Sequence, residues 1–97
     1  MFKDLNPLLH VQQRLAIMSI LISVEEADFS YIKEKTAMTA GNLSSHTDKL
    51  SSAGYIDIIK GMKGKRPRTV FKITSAGIDA FEEYVNSIKT YINRSSD

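Results

Sequence analysis

The 97-residue sequence has no cysteine, no apolar run long enough to cross a membrane and no proline- or serine-rich linker. The absence of cysteine excludes disulfide bonds, thiolate metal sites and thiol nucleophiles, and it suits a reducing cytoplasm. The most apolar run, residues 15–24, spans only ten residues and includes two serines, whereas a transmembrane helix needs about 20. The first seven residues lack the apolar core of a signal peptide. We therefore expect a cytoplasmic protein that does not associate with membranes.

The composition is that of one small globular domain. Apolar residues make up 42% of the chain and charged residues 25%, which is ordinary for a folded, soluble protein. We expect a single domain over residues 1–97, which is too short for a full Rossmann domain or a barrel. A core of this size is often completed by a partner subunit.

The formal net charge of +2 is distributed unevenly along the chain. Residues 49–72 contain seven basic side chains and one acidic side chain, Asp57, and so carry +6. The remaining residues contain six basic and ten acidic side chains and carry −4. This asymmetry favours a protein with one face that attracts a polyanion. The alternative is a solvated basic loop with acidic residues elsewhere by chance.

The first helix is predicted to begin at Asn6 and Pro7, a capping residue followed by proline at the first helical position. Its apolar residues form two stripes: Leu8, Val11, Leu15, Met18 and Ile22 in one, and Ile17, Leu21 and Val24 in the other. A helix that is apolar on two sides must be covered on both. We expect its own domain to cover one side and a partner subunit the other.

A helix-turn-helix is predicted over residues 28–53. After a polar turn at 25–27, Asp28 or Ser30 caps a short helix that ends near 35–37. A turn of three or four residues leads to Thr39, the predicted N-cap of a helix over 39–53 that Gly54 ends. The inward stripe of this third helix is Leu43, Thr47 and Leu50, and its other side chains are mostly small and polar.

A two-stranded β-hairpin is predicted over residues 55–73. Residues 55–59 and 69–73 are rich in β-branched and aromatic side chains, and the stretch 60–68 between them contains two glycines and a proline, which indicates a loop. Thr74 or Ser75 caps a final helix over about 75–93, and the last residues, 94–97, are expected to fray. The order of elements predicts an α+β, mostly α fold, the winged helix-turn-helix.

Several segments resemble the small winged-helix transcriptional regulators of bacteria and archaea, akin to the MarR and ArsR groups. Residues 39–56 are similar to the recognition-helix signature of that family, 63–69 to its wing, and 74–77 to the start of its final helix. The resemblance extends from about Leu5 to about Tyr84, and it implies a homodimeric DNA-binding regulator without catalytic activity.

The chain also departs from the family pattern. Thr47 stands where the family usually has leucine or a similar apolar residue, so we expect a third helix that is held less firmly. The chain lacks the additional helices that larger MarR proteins use for dimerisation and effector pockets. The resemblance therefore assigns no effector.

The outer face of the third helix is the predicted contact with DNA, because the major groove admits one helix and polar side chains there can bond to base edges. The predicted contacts are Thr39, Asn42, Ser44, Ser45, His46 and Lys49. Asn42 can pair bidentately with an adenine, and Thr39 with the first backbone N–H groups of the helix can hold a phosphate. The alternative is that this face is only solvated.

The hairpin is the predicted wing, with a basic segment over 60–69. It carries five cations and no acid: Lys60, Lys63, Lys65, Arg66 and Arg68. Such residues bind phosphates with release of counterions, and an arginine can enter a narrow minor groove. The alternative is a solubilising loop, which would normally mix both charge signs.

The remaining assignments concern the dimer and the absence of catalysis. The predicted dimer interface consists of Leu8, Val11, Ile78, Phe81, Val85, Ile88 and Ile92. Arg14 either contacts a phosphate or pairs with Asp48 or Asp57, and the sequence leaves both possibilities open. His10 and His46 are 36 residues apart with no cysteine to support them, so we expect no metal site and no cofactor. No arrangement typical of catalysis is evident, so we expect no enzymatic activity.

Two functions from different classes follow from these patterns. The first is a dimeric, sequence-specific transcriptional regulator that binds double-stranded DNA. The alternative is a protein-interaction module whose basic wing binds an acidic partner. The third helix favours the first, because a protein-binding helix would expose large apolar side chains where this one exposes serines, Asn42 and His46.

Overall fold

The computed structural model describes residues 1–92, in which four α-helices and three β-strands are present. The elements are α1 (Gln12–Val24), β1 (Glu26–Asp28), α2 (Phe29–Thr36), α3 (Ala40–Ser52), β2 (Ile56–Lys63), β3 (Arg66–Ile73) and α4 (Ser75–Ile92). The predicted last residue of α4, 93, and the frayed end predicted for 94–97 lie outside the described residues. The order of elements confirms the winged helix-turn-helix fold.

The helix-turn-helix forms as the sequence predicts. Asp28 is the N-cap of α2, and its carboxylate accepts a hydrogen bond from the backbone N–H of Tyr31 at 2.8 Å. Ala37 ends α2 in the left-handed conformation, with φ of 58°. Thr39 caps α3, because its hydroxyl oxygen accepts from the backbone N–H of Asn42 at 3.1 Å. Both helix starts are therefore set by the side chain of the residue that directly precedes the helix.

The predicted start of the first helix is wrong. Helix α1 begins at Gln12, and Asn6 opens a separate single turn instead. The Asn6 carbonyl accepts from the N–H groups of Leu9 and His10, and its side-chain oxygen accepts from the N–H of Leu8 at 2.9 Å. The Asn6 amide also donates to the Tyr55 hydroxyl at 2.9 Å, which ties the turn to the start of the wing. Asn6 therefore acts as a cap, as predicted, but it caps a single turn rather than a helix.

The sheet is antiparallel with the strand order β1-β3-β2. The predicted hairpin is β2 and β3, but the polar turn predicted at 25–27 is wrong, because Glu26–Asp28 pairs with β3 as an edge strand. Glu25 adopts a φ of 72°, which turns the chain from α1 into β1, and its carbonyl accepts from the N–H of Ile73 at 3.0 Å. The sheet thus closes directly onto the end of α1.

One hydrophobic core lies between the helices and one face of the sheet. Its buried members are Leu9, Ile17, Met18, Leu21, Ile32, Leu43, Leu50, Ile56, Phe71, Ile73 and Tyr84. Thr47 is buried among them, and its hydroxyl donates within α3 to the carbonyls of Leu43 (2.9 Å) and Ser44 (3.1 Å). The buried hydroxyl is therefore satisfied, and α3 keeps its predicted inward stripe. That Thr47 holds α3 less firmly than leucine would stays a prediction.

Helix α4 starts at a close contact with the beginning of the wing. Thr74 caps it by accepting from the N–H of Gly77 at 3.0 Å, and the Thr74 hydroxyl donates to the Gly54 carbonyl at 2.6 Å. Gly77 is buried against the carbonyl of Tyr55, where any Cβ would overlap the backbone. Glycine is therefore required for this approach.

The face that α4 buries differs from its most apolar stripe. The buried residues are Gly77, Tyr84 and Ser87, all on one side of the helix. The residues of the predicted stripe lie beside that face and are only half-buried or exposed: Ile78, Phe81, Val85, Ile88 and Ile92. An apolar stripe thus remains partly open to solvent along α4.

Candidate nucleic-acid interface

The exposed face of α3 carries the predicted DNA contacts. Thr39, Asn42, Ser44, Ser45 and Lys49 are all exposed, opposite the buried stripe of the same helix. The Thr39 hydroxyl oxygen accepts from the backbone N–H of Asn42, and the hydroxyl can still donate its own proton to a phosphate or a base. The side chains are short except for that of Lys49, so the backbone of α3 can approach a groove closely.

His46 differs from the other predicted contacts because it is half-buried. Its Nδ1 lies 3.3 Å from Nη1 of Arg14, and Nε of Arg14 donates to the carbonyl of Leu8 at 2.6 Å. Arg14 therefore joins α3 to the N-terminal turn, a third arrangement beside the two that the sequence left open. Burial lowers the pKa of His46 below its usual value, and the positive charges of Arg14 and Lys49 lower it further.

The wing is longer and more regular than the sequence predicts. The nine-residue loop expected at 60–68 is wrong, because β2 and β3 remain paired as far as Lys63 and Arg66. Only Gly64 and Lys65 form the turn, and Gly64 has the positive φ (63°) that a type II′ hairpin needs at its first central position. All residues from 60 to 68 are exposed, so the hairpin extends beyond the core.

Pro67 fits the hairpin because of its place in the ladder. Hydrogen-bonded and non-hydrogen-bonded pairs alternate in an antiparallel ladder, and the Lys63–Arg66 pair that closes the turn is of the first kind. Pro67, opposite Met62 in the next pair, therefore directs its nitrogen away from β2. Strand β1 pairs only with residues 70–72 of β3, so no ladder bond is lost at Pro67.

The pairing divides the five predicted cations between two faces and the turn. Lys63 opposite Arg66 and Gly61 opposite Arg68 lie on the face away from the core. Lys60, opposite Thr69, lies on the other face together with the Met62–Pro67 pair, and Lys65 lies in the turn. We call Lys63, Arg66 and Arg68 the basic face of the wing.

One cation of the basic face already has a partner. Nε of Arg68 lies 3.8 Å from Oδ2 of Asp28, and both side chains are partly exposed. No sequence pattern indicates this pair, because Asp28 enters the sheet through strand β1, which was not predicted. Such a surface pair contributes little to stability, but it reduces the charge that the wing presents.

Residues 2–10 form a segment that covers one side of α4. The Lys3 N–H donates to the Thr90 hydroxyl at 3.2 Å, and the Tyr91 hydroxyl donates to the Lys3 carbonyl at 2.7 Å. Nδ1 of His10 and the Tyr84 hydroxyl are 2.8 Å apart. The N-terminal segment thus takes one side of α4 and leaves the apolar stripe beside it open.

Among residues 1–92, no helix is long and apolar enough to cross a membrane. In the same part of the chain, no three histidine, aspartate or glutamate side chains are grouped as metal ligands would be.

Residues 13–92 match the family model described as the winged helix DNA-binding domain. An uncharacterized protein of Methanocaldococcus jannaschii is 37% identical over 75 residues, which is 77% of this chain and 82% of that protein.

Solved structures share the fold. A structure described as a transcriptional regulator homologue from Pyrococcus horikoshii superposes with a TM-score of 0.83 at 35% identity, over 89% of this chain and 85% of that one. The YusO protein of Bacillus subtilis shares the fold with a TM-score of 0.76 at 20% identity, over 93% of this chain but only 60% of its own. The resemblance to winged-helix transcriptional regulators is thereby confirmed.

Proposed function

This chain belongs to the family of winged helix DNA-binding domains, and we propose that it acts as a homodimeric, sequence-specific transcriptional regulator without catalytic activity. In this proposal α3 lies in the major groove and the wing contacts the phosphate backbone or the minor groove. The observation that carries it is the wing, an exposed hairpin that carries five cations.

The wing supports DNA as the partner through the arrangement of its charges. Lys63 and Arg66 are direct cross-strand neighbours, where like charges repel and lower the stability of the free hairpin. Lys65 in the turn adds a third charge within two residues. A row of phosphates relieves this repulsion and releases counterions, so the binding of a polyanion stabilises the arrangement.

Helix α3 supports a role in sequence recognition. Its exposed face presents hydroxyl, amide and imidazole groups, which can bond to base edges, and no large apolar side chain. Its inward stripe is fully buried, so the helix has a fixed position relative to the rest of the domain. A fixed helix with short polar side chains suits the geometry of the major groove.

The open stripe of α4 supports the homodimer. Ile78, Phe81, Val85, Ile88 and Ile92 continue along four turns, and Ile92 is 65% exposed. Leu8 of the N-terminal turn and Val11, which directly precedes α1, are also half-buried. A two-fold pairing of this stripe would bury it and present two α3 helices about 34 Å apart, which favours a pseudo-palindromic site. Light scattering that finds a stable monomer at tens of micromolar contradicts this part of the proposal.

A gel-shift experiment tests DNA binding itself. The probe is the DNA upstream of the protein's own gene, with and without an excess of unrelated competitor duplex. We expect a retarded complex that survives the competitor. Absence of a complex at low salt contradicts the proposal and favours the acidic protein partner. Binding of such a partner would need the cations of the wing but not the polar face of α3.

A further inference from the structure

Arg14 and His46 are linked in a way that has a consequence for base recognition. We propose that Arg14 is a positioning residue that holds His46 in the tautomer with its proton on Nε2, so that α3 presents a hydrogen-bond donor to an acceptor atom of a base. The second half of this statement rests on the proposed function, whereas the first half concerns the free protein.

The tautomer follows from the chemistry of the pair. A guanidinium group has five N–H donors and no acceptor, so the nitrogen that faces it must provide a lone pair. That nitrogen is Nδ1 of His46, 3.3 Å from Nη1 of Arg14. A neutral imidazole with a lone pair on Nδ1 carries its proton on Nε2. The lowered pKa of His46, caused mainly by burial, agrees with a neutral ring at pH 7.

Arg14 is itself held in place, which distinguishes it from a mobile surface cation. Its Nε donates to the carbonyl of Leu8 at 2.6 Å, and Leu8 belongs to the turn that Asn6 closes. Asn6 in turn donates to the hydroxyl of Tyr55. The guanidinium therefore bonds to the fixed N-terminal turn with one nitrogen and to His46 with another, and the two bonds define the orientation of the imidazole.

The position of His46 on α3 brings its donor to the predicted DNA face. Asn42, His46 and Lys49 follow a spacing of four and three residues, so they lie along one strip of the helix. In the major groove an N–H donor can pair with N7 or O6 of guanine, N7 of adenine or O4 of thymine. It meets a second donor at the amino groups of cytosine and adenine. His46 is thus expected to select an acceptor at its position.

The tautomer is tested on the free protein by long-range ¹H–¹⁵N correlation NMR of the imidazole groups. We expect the His46 spectrum of the Nε2–H form, and a mixture of tautomers in Arg14→Met, which keeps the apolar stem but removes the donors. Lys49→Gln is the matched control: it removes one of the charges that lower the pKa of His46, yet it should leave the tautomer unchanged. An Nδ1–H form in the wild-type protein, or an unchanged tautomer in folded Arg14→Met, overturns the proposal. If Arg14→Met does not fold, the wild-type spectrum alone decides.

Base contact is tested with a duplex that the wild-type protein selects from a randomised pool. Purine analogues that lack N7 and thymine analogues that lack O4 are introduced one at a time. We expect one substitution per half-site to weaken wild-type binding about three- to tenfold, the effect of one net hydrogen bond, and to leave His46→Ala unaffected. Equal losses for His46→Ala on selected and random duplexes overturn base contact, because they place the imidazole at a phosphate. If the wild-type protein binds no DNA, the proposed function and the base contact are both wrong. The NMR measurement still tests the tautomer, because it is made on the free protein.

Discussion

Helix α3 and the wing are proposed to meet the same DNA, yet they are held in the domain by different means. Helix α3 has three fully buried side chains, a capped start and the bond from Arg14 to His46. The outer wing, residues 60–68, has no buried side chain and depends on strand pairing and a two-residue turn. Helix α3 is therefore fixed by contacts on several sides, whereas the outer wing is attached to the domain only through the inner parts of β2 and β3.

The difference matches what each region must do. Hydrogen bonds to base edges weaken steeply when their geometry is poor, so a helix that distinguishes bases needs a fixed position. Release of counterions depends on charge near the phosphates and tolerates small displacements. We therefore expect α3 to determine specificity and the wing to determine affinity, and the following predictions test that division.

The largest effect is expected from the wing. Replacement of Lys63, Lys65 and Arg66 by glutamine removes six charges from a dimer, so the slope of log affinity against log salt should fall in magnitude by about 5, at roughly 0.9 per phosphate contact. Selected and random duplexes should lose affinity alike. Arg68 is left in place because Asp28 already accompanies it; including it raises the expected fall to about 7 only if it also contacts a phosphate.

The control for this prediction is a variant with the same loss of charge elsewhere, in which Lys3, Lys35 and Lys89 are replaced by glutamine. Its salt dependence should stay close to that of the wild-type protein. An unchanged slope in the folded wing variant contradicts the role of the wing and supports an acidic protein partner.

A smaller and selective loss is expected from α3. Asn42→Ala or Ser45→Ala should weaken binding to the selected duplex by about 1–3 kcal/mol if the side chain contacts a base edge, with little change on random DNA. Ser52→Ala is the matched control, because Ser52 is an exposed serine at the far end of the same helix. Fluorescence anisotropy on both duplexes measures the ratio, and an equal loss on both would assign the residue to the DNA backbone.

Release of Arg68 should strengthen the contribution of the wing. Asp28→Asn removes the carboxylate charge but keeps an N-cap of similar strength for α2. The salt slope should then steepen by up to about 2 for the two subunits of a dimer. The double variant with Arg68→Gln should lose this gain. A steeper slope that persists in the double variant shows that the effect does not pass through Arg68.

The smallest effect concerns the pH dependence of stability. Burial, with Arg14 and Lys49, lowers the pKa of His46 in the folded chain. As the pH falls below about 6.5, the unfolded chain takes up a proton at this site first, so the free energy of unfolding decreases until the folded-state pKa is reached. His46→Gln should remove this part of the pH dependence. Urea unfolding at a series of pH values measures it, and an identical pH profile for both proteins contradicts it.

Local sequence signals predicted the elements whose causes are local. Thr39 and Gly54 mark the ends of α3, and the apolar periodicity of α4 marks its length. Strand β1 was missed because three residues with two acids carry no strand signal, and its partner lies more than 40 residues away in β3. The extension of β2 through Lys63 was missed for a similar reason, since exposed polar residues join a strand only because the opposite strand is already paired.

The candidate site was predicted by residue type but not by environment. The polar face of α3 and the cations of the wing follow from composition and spacing. The bond between Arg14 and His46 depends on where the N-terminal turn places the Leu8 carbonyl, and no periodicity contains that information. The buried face of α4 was also unpredictable, because two of its members carry no hydrophobic signal: Gly77 is there for its close approach to the Tyr55 carbonyl, and Ser87 is polar.

The contact of Gly77 with the Tyr55 carbonyl sets the angle at which α4 leaves the start of the wing. The 18 residues of α4 extend about 27 Å from it, so a tilt of about 5° at Gly77 moves the far end by about 2 Å. In a dimer joined through α4 the same tilt changes the separation of the two α3 helices, and with it the operator spacing that the dimer accepts. The close contact at the start of α4 thus sets the half-site spacing of such a dimer, and substitutions there are a route to regulators with altered spacing.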